Sequence, residues 1–410
     1  MKKLFLSFTA ILLSLTLAAC SAAENSLSGG AADADMIGGA PSLAGAAEKA
    51  EGYGYDGGGD FEDFAFDEGY GMAAAEAEPS DVYGDYEAPE DYAENRIPAA
   101  AGTLTAGEWI DNDHITFWNS LHQIEDTGWS EYSSLWSRAY TVRTFVTVTY
   151  YGEPVENATV TVTNSDNDTL WTAKTDNEGK AYLFYTPSQL EGELTVTAEY
   201  SEFEETGTAT ITSENYTSCS IDLTPIEDVY IEHRTDSLDL MLVVDTTGSM
   251  ADELSYLQEE LESVITRAAS DNGNIPVRLS VNFYRDDGDE YVVRDFSFTE
   301  NISQAIADLK AQYADGGGDF PEKVNAALDN AINNHDWSDN STKLLFIILD
   351  APPHNDDSKA VAEMNELTEQ AAENGIRIIP ILASGGDKEA EYLMRDMAMK
   401  TGGTYIFRSE

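Results

Sequence analysis

Cysteine is nearly absent from this chain, which has only Cys20 and Cys219 among its 410 residues. A small fold held together by several disulfides is therefore excluded. If Cys20 is modified, as the N-terminal segment indicates, Cys219 has no intrachain partner and no structural disulfide can form. The alternating position of Cys219 in "NYTSCSIDL" predicts a small, buried apolar side chain.

Basic residues are also scarce. The chain has 22 Lys and Arg residues against 76 Asp and Glu residues, which gives a formal net charge of −54. Such a charge repels phosphate backbones, so nucleic acid is excluded as a partner. We expect the surface to attract cations or basic partners instead.

Apolar runs long enough to cross a bilayer are missing as well. The N-terminal "MKKLFLSFTAILLSLTLAAC" has two lysines followed by an apolar stretch that is too short to span a membrane comfortably. Its end, "LAAC", resembles a bacterial lipobox. That resemblance implies cleavage before Cys20 and lipidation of Cys20, and the alternative is an ordinary secretory signal with a chance cysteine. The expected location is the cell envelope, with the lipid in the outer membrane or the outer face of the plasma membrane.

Composition divides the chain into four parts. Residues 1–20 are interpreted as the lipoprotein signal peptide and residues 21–105 as a disordered acidic linker without apolar periodicity. The aromatic residues of the linker leave open a recognition role toward a basic partner, but a solvated tether is the favoured interpretation. Residues 106–228 are assigned to a helical lead-in and a β-sandwich, and residues 229–410 to an α/β domain.

The lead-in is rich in aromatic residues on short helix-like stretches, including Trp109, Trp118, Trp129 and Trp136. They predict packing against the following domain, with a ligand-binding aromatic platform as the alternative. Short alternating runs then predict an antiparallel sandwich. The stretches "GEPVENATVTV" and "TDNEGKAYLF" resemble carboxypeptidase-regulatory or transthyretin-like modules, in which Asp176 and Gly179 form turns.

From Ser237 onward, strands alternate with amphipathic helices. This order predicts a doubly wound, Rossmann-like parallel sheet with one antiparallel edge hairpin. Ligands of such sheets bind beyond the carboxyl ends of the strands. Two central apolar strands, "LMLVVD" and "LLFIILD", end in Asp245 and Asp350, so we expect the two carboxylates to meet at one edge.

Hydroxyl groups complete this arrangement. Thr247 and Ser249 follow Asp245 at positions that allow both side-chain oxygens to point the same way. Two carboxylates and two hydroxyls form an all-oxygen site for a hard cation, which predicts Mg²⁺, with Mn²⁺ or Ca²⁺ as alternatives.

The residues "DTTGS" before a helix, together with "GGGDFPEKVNAAL" and "FIILDAPPH", resemble the signature of von Willebrand factor A domains (A domains). The resemblance implies a metal-ion-dependent adhesion site in which Thr247 and Ser249 bind the ion directly. Asp245 and Asp350 would then act largely through water. Where the family usually supplies a threonine, this chain offers Asp319, which leaves the site at about −1 around a divalent ion. Metal affinity should rise and attraction for an incoming carboxylate should fall, so a basic partner group or a retained water becomes the expected ligand.

Two further residues are predicted near the rim of this site. His354 lies four positions beyond Asp350, and Arg285 ends another strand in "FYRDDGDEY". For Arg285 a local ion pair and turn is the favoured interpretation, and a place at the rim is the alternative. The five histidines show no metal-ligand spacing.

The leading hypothesis is a lipid-anchored envelope protein, not an enzyme, that binds a protein partner through the metal-dependent face. A structural envelope protein whose metal site only stabilises the fold is an alternative. A third hypothesis is an Mg²⁺-dependent phosphatase, because an apolar strand before "DTTGS" also resembles the aspartyl-phosphate motif of haloacid-dehalogenase phosphatases. That chemistry needs a lysine near a later strand end, whereas Lys343 begins its strand.

Overall fold

The computed structural model describes residues 105–124, 127–138, 141–200, 206–223, 237–271, 275–318 and 320–409. The predicted signal peptide, its Cys20 and the predicted linker up to residue 104 lie outside the described residues. Asp319 also lies outside them. In the described part of the chain, no helix is long and apolar enough to span a membrane.

The sandwich consists of two four-stranded sheets. In the first, β2 (Val142–Tyr150) pairs with β3 (Glu153–Pro154), β6 (Lys180–Tyr185) and β9 (Ser218–Asp222). The second has the order β5-β4-β7-β8, with the bounds β4 (Thr159–Thr163), β5 (Thr169–Lys174), β7 (Leu194–Glu199) and β8 (Thr206–Ile211). Alternate residues of these strands are buried, as the period of two requires. The pairing is antiparallel except between β2 and β9, which is parallel and was not expected.

The turn between β5 and β6 has the structure that the sequence predicts. The Asp176 Oδ1 atom accepts hydrogen bonds from the backbone N–H groups of Glu178 and Lys180, at 2.8 and 2.9 Å. Gly179 has φ +70°, and a Cβ atom there would lie 2.4 Å from the Val148 carbonyl oxygen. The interpretation of both residues as turn formers is confirmed.

Cys219 lies on β9 and is a free cysteine whose side chain is half-buried against the sandwich core. Burial raises the pKa of its thiol. It therefore behaves as a small apolar side chain, although it is less buried than predicted.

The C-terminal domain is built on a seven-stranded sheet in the order β1-β15-β14-β13-β10-β11-β12. The five inner strands, β15, β14, β13, β10 and β11, are parallel to one another. The two edge strands, β1 and β12, are antiparallel to their neighbours. The strand bounds are β1 (Thr105–Trp109), β10 (Ser237–Asp245), β11 (Val277–Tyr284), β12 (Val293–Arg294), β13 (Ser341–Leu349), β14 (Ile376–Leu382) and β15 (Tyr405–Ser409). The predicted parallel sheet and its β11–β12 edge hairpin are confirmed.

Five helices accompany these strands: α3 (Ala251–Asp271), α4 (Ile302–Lys310), α5 (Val324–Asn333), α6 (Ser358–Asn374) and α7 (Lys388–Thr401). Separate cores lie on the two faces of the sheet. Because both faces are covered, the central strands β10 and β13 are buried along nearly their whole length and read as continuous apolar runs. This explains why polar residues at their ends are conspicuous.

The lead-in, residues 105–138, packs mainly on the C-terminal domain, although the Arg143 guanidinium of the sandwich donates a hydrogen bond to the Asn112 carbonyl oxygen of the lead-in. Strand β1 pairs with β15, and helices α1 (Ile115–Leu121) and α2 (Trp129–Leu135) pack near α7. The Trp118 and Trp129 rings contact each other at 4.8 Å between centroids, and both contact the Tyr392 ring of α7. This grouping differs from the predicted one, because aromatic spacing identifies a buried face but not the surface that covers it.

Buried charges reinforce the attachment of the lead-in. Asp111 forms two hydrogen bonds with Arg395 of α7, at 2.6 and 3.0 Å. The Arg395 guanidinium also stacks on the Trp129 ring at 4.7 Å. Arg138 forms an ion pair with Asp396, and both side chains are almost fully buried. Removal of one partner from such a pair leaves an uncompensated charge, so these contacts make the lead-in part of the domain.

We predict that Trp129→Ala destabilises the C-terminal domain, because it removes a ring that is only 5% exposed and leaves a cavity. The expected loss is about 3–5 kcal/mol in the free energy of unfolding, measured by denaturant titration. Hydrogen exchange of the β15 amides should accelerate with it. Phe117→Ala is the matched control, since Phe117 is 45% exposed and should change stability by less than about 0.5 kcal/mol. Faster exchange confined to sandwich amides would contradict the assignment.

Candidate metal centre

The first carboxylate of the candidate site, that of Asp245, is held in a defined orientation by the loop after β10. Asp245 is fully buried, and its Oδ1 atom accepts hydrogen bonds from the Thr247 backbone N–H at 2.8 Å and the Thr247 hydroxyl at 2.7 Å. The Oδ2 atom accepts no hydrogen bond of ordinary geometry, although Tyr284 on β11 interacts with the carboxylate electrostatically. Burial raises the pKa of Asp245 to about 7, while the hydrogen bonds from Thr247 act in the opposite direction.

The second carboxylate, Asp350, follows β13 directly and meets the first at the same sheet edge. Its Oδ1 atom is buried and without a hydrogen-bond partner. Burial raises the pKa of Asp350, a hydrogen bond with Ser249 lowers it, and the charge of Glu253 raises it. The Ser249 hydroxyl lies 3.4 Å from the Thr247 hydroxyl. The structure thus brings together the four described members of the predicted set, Asp245, Thr247, Ser249 and Asp350.

A buried carboxylate that the sequence reasoning missed, Glu322, lies next to this group. It is 3% exposed, and its Oε2 atom has no hydrogen-bond partner. Burial, together with the charges of Asp245, Asp286, Asp289 and Asp350, raises the pKa of Glu322 to about 9. The only sequence signal was its place three residues after the "GGGD" loop, where a glutamate before a helix looks like an ordinary solvated residue.

The glycine loop approaches the site closely. Gly316 and Gly317 have φ values of +81° and +72°, a conformation that favours glycine. A Cβ atom on Gly317 would lie 3.1 Å from a Glu322 carboxylate oxygen and 3.3 Å from the Thr247 Cβ atom. Asp289 anchors the loop, because its Oδ2 atom accepts a hydrogen bond from the Gly317 N–H at 2.9 Å. These contacts place the glycine loop beside Thr247 and Glu322.

The two predicted rim residues differ in position. The His354 Nε2 atom lies 2.9 Å from the Asp286 Oδ1 atom, and its side chain is 16% exposed. Arg285 is 1% exposed and does not offer a free side chain at the rim. Its guanidinium donates instead to the carbonyl oxygens of Thr246 and Tyr313, at 3.1 and 2.7 Å. Arg285 therefore stabilises the backbone of the loop that follows β10.

The chemistry of this group fits a hard divalent cation. Three buried carboxylates, Asp245, Asp350 and Glu322, each keep one oxygen without a hydrogen-bond partner, and no basic side chain of the described residues forms an ion pair with them. Unpaired buried carboxylates are costly, and oxygen ligands suit Mg²⁺. In the described residues, no group of three or more His, Cys, Asp or Glu side chains is arranged to hold a metal by itself. A site here would therefore depend on the hydroxyls of Thr247 and Ser249 as well.

Comparison with known families agrees with this architecture. Residues 239–409 match the family described as von Willebrand factor A domain. We refer to this part of the chain as the A domain, after the family that it matches. Residues 141–224, which include the sandwich strands, match the carboxypeptidase regulatory-like domain. Both resemblances expected from the sequence are confirmed at the level of the domains.

Two curated proteins are similar to part of this chain. An ariadne-like RING finger protein of Acanthamoeba polyphaga mimivirus is 33% identical over 117 residues, which is 28% of this chain and 11% of that protein. An alpha-protein kinase of Dictyostelium discoideum is 23% identical over 173 residues, or 42% of this chain and 27% of the kinase. The chain thus spans a small fraction of the curated relatives that it matches.

Solved structures give weaker similarities. The protein BatB of Bacteroides thetaiotaomicron has a TM-score of 0.32 and 13% identity, and the match covers 42% of this chain and 89% of BatB. The shaft pilin SpaA of Lactobacillus rhamnosus GG, as its E269A mutant, has a TM-score of 0.20 and 13% identity over 22% of this chain and 48% of the pilin.

We predict that Mg²⁺ stabilises the full chain and that Asp350→Asn abolishes this response. At a concentration 100 times the dissociation constant, the ion should add about 2.7 kcal/mol to the free energy of unfolding. Thermal unfolding with Mg²⁺ and with EDTA measures the effect. In EDTA the variant should unfold at the same or a higher temperature than the wild type, because a buried unpaired charge is removed.

Asp287→Asn is the matched control, because that side chain is 68% exposed and pairs with Lys323 at 2.8 Å. It should keep the full response to Mg²⁺. An undiminished response in Asp350→Asn would remove Asp350 from the site.

Proposed function

We propose that this protein is a lipid-anchored protein of the cell envelope that binds a protein partner through a metal-ion-dependent adhesion site on its A domain. The A domain itself indicates a role in protein interaction or adhesion. The proposal adds three finer statements: the lipid on Cys20, the divalent ion, and the dependence of partner binding on that ion. Its chemistry is recognition, without a catalytic residue.

The observation that carries the proposal is the pair of unsatisfied oxygens, Asp245 Oδ2 and Asp350 Oδ1, at one edge of the sheet. Most buried polar atoms have a hydrogen-bond partner, so two interacting carboxylates that each keep an oxygen without one favour a positive charge beside them. Thr247 and Ser249 would bind the ion directly, and Asp245 and Asp350 would support it. The ion would supply an open coordination position for an oxygen atom of the partner.

Glu322 adds to the expected negative charge of the site. Together with Asp319, it would bring the number of carboxylates near the ion to four. Because each added carboxylate favours the ion but repels an acidic ligand, a partner that presents a neutral oxygen or a basic group fits this site better than one that presents Asp or Glu.

The surface around the centre offers apolar contacts as well. Ser249 is exposed, and Phe320 and Tyr313 are 47% and 52% exposed on the loops that flank the group. Exposed aromatic side chains are frequent anchors in protein interfaces. They support a protein, and not a small ligand, as the bound partner.

The two alternative functions, a structural envelope protein and a phosphatase, predict different properties. A structural envelope protein would use the ion for stability only, so it would respond to Mg²⁺ but capture nothing through the centre. A phosphatase would need a lysine beside Asp245. Lys343 lies near the amino end of β13, two residues after its start, whereas Asp350 follows its carboxyl end. This placement disfavours the phosphatase hypothesis.

We predict that the full chain captures a partner from an extract of its own cell envelope in the presence of Mg²⁺ and releases it with EDTA. The amount captured is measured by quantitative mass spectrometry. Asp245→Asn should abolish capture, whereas Asp287→Asn should retain it. Capture that persists unchanged in EDTA would refute the metal-dependent mechanism, and a Mg²⁺-stabilised chain that captures nothing would favour the structural alternative.

We predict that Cys20 carries the lipid. In cells supplied with labelled palmitate, the wild type should be labelled and should partition into the detergent phase of Triton X-114. Cys20→Ser should lose both properties because the thiol that would be acylated is absent. Cys219→Ser, the matched control, should keep both. Palmitate labelling that survives in Cys20→Ser would contradict the proposed anchor.

A further inference from the structure

The loop that joins β11 to β12 lies beside the candidate metal centre, although it supplies none of the predicted ligands. It spans residues 285–292. Its Arg285 donates to the carbonyl oxygen of Thr246, in the loop after β10, and to that of Tyr313, three residues before the glycine loop. The β11–β12 loop therefore connects two of the segments that surround the centre.

Asp289 makes the contact of this loop with the glycine loop. Its Oδ2 atom accepts hydrogen bonds from the backbone N–H groups of Gly317 and Asp286, at 2.9 and 3.1 Å. One carboxylate oxygen thus binds its own loop and the glycine loop at the same time. Hydrogen bonds to a carboxylate are stronger than those between neutral groups, so this junction is a strong one.

The packing at Gly316 shows how closely the two loops fit. A Cβ atom at Gly316 would lie 2.3 Å from the Asp289 Oδ1 atom and 2.5 Å from its Oδ2 atom. The Asp289 carboxylate therefore occupies the space that a side chain at position 316 would need. Because the φ angle there is also +81°, both the backbone and the available space require glycine.

Asp289 holds the middle of the glycine loop. The two ends of that loop are held by main-chain hydrogen bonds from Asp315 and Glu322 to neighbouring loops, at 3.1 and 3.0 Å. Between them, in the described part of residues 317–321, the N–H of Gly317 forms the only hydrogen bond, and its acceptor is Asp289. The position of the middle of the loop therefore depends on Asp289.

This part of the glycine loop lies against two residues of the centre. A Cβ atom at Gly317 would lie 3.3 Å from the Thr247 Cβ atom and 3.1 Å from a Glu322 carboxylate oxygen. Movement of Gly317 would therefore alter the space around a predicted ligand and around the buried glutamate. Asp289 also acts on the centre through its charge, which adds to burial in raising the pKa of Glu322.

We propose that Asp289 is a positioning residue of the metal centre: it holds the glycine loop against Thr247 and Glu322, and this position sets the affinity of the centre for its divalent ion. This role rests on the metal-dependent function proposed above. Asp289 acts through the glycine loop, because its Oδ2 atom already accepts from two N–H donors. Outer hydrogen bonds of this kind hold the groups around an ion in the geometry that binds it.

The test is isothermal titration calorimetry of the full chain with MgCl2, for the wild type, Asp289→Ala and Asp289→Asn. Asp289→Ala should weaken Mg²⁺ binding by about tenfold or more, because the Gly317 N–H loses its acceptor and the loop is released. Asp289→Asn should bind Mg²⁺ within about threefold of the wild type, because its amide oxygen can accept the same hydrogen bonds. A loss in Asp289→Asn as large as that in Asp289→Ala would show that the charge acts instead, and would overturn the positioning role.

Asp287→Ala is the matched control, since it removes a carboxylate from the same loop at a position that is 68% exposed. It should leave the Mg²⁺ affinity within about threefold of the wild type. Equal affinities of Asp289→Ala and the wild type would overturn the proposal, and so would an equal loss in Asp287→Ala. A wild type that does not bind Mg²⁺ refutes the metal-dependent function itself, so the two failures are distinguishable.

Amide hydrogen exchange in EDTA adds a measurement that does not depend on the ion. Gly317 should exchange faster in Asp289→Ala than in the wild type and in Asp289→Asn, whereas the amides of β10 and β13 should keep their protection. Protected central strands show that the variant is folded, so that a weaker affinity is not the result of unfolding. Unchanged exchange of Gly317 in Asp289→Ala would contradict the proposal.

Discussion

The parallel pairing of β10 with β13 is the constraint on which the rest of this domain depends. The register extends to Val244 and Ile348, so the two strands finish side by side and their next polar residues, Asp245 and Asp350, lie at one edge. Both carboxylates are desolvated by the covered sheet, and each raises the requirement for a positive charge near the other. The loops around this edge place Thr247 and Ser249 next to the two carboxylates.

Charge is separated along the sheet. Carboxylates without a basic partner gather beyond the carboxyl ends of the strands, whereas at the opposite end, where the sandwich makes contact, the buried Asp239 is paired with Arg278. The sandwich is also joined there by polar contacts, such as the 2.6 Å hydrogen bond from Thr342 to Glu156. The lead-in packs on a different part of the domain, through β1 and through Trp118 and Trp129. The A domain is thus held by segments that precede it in the chain.

Much of this architecture could be predicted from local patterns. Strand and helix periodicity indicated the sandwich and the parallel sheet, and the polar ends of two apolar runs indicated Asp245 and Asp350. Glu322 could not be predicted in this way, because its burial results from the approach of the glycine loop and the segment near Pro352. Arg285 looked like a rim residue by its position in a turn, whereas its guanidinium is enclosed by Tyr291 and Tyr313.

The sequence by itself determined the order of the elements, the identity of the two domains and the place of the first carboxylates, because these follow from periodicity and from strand ends. Only the tertiary structure decided which surface the lead-in covers and which charged side chains become neighbours. Lys174 and Arg377 are far apart in sequence but line one cleft. Contacts of this kind depend on how separate elements pack, and no local pattern of residues records that packing.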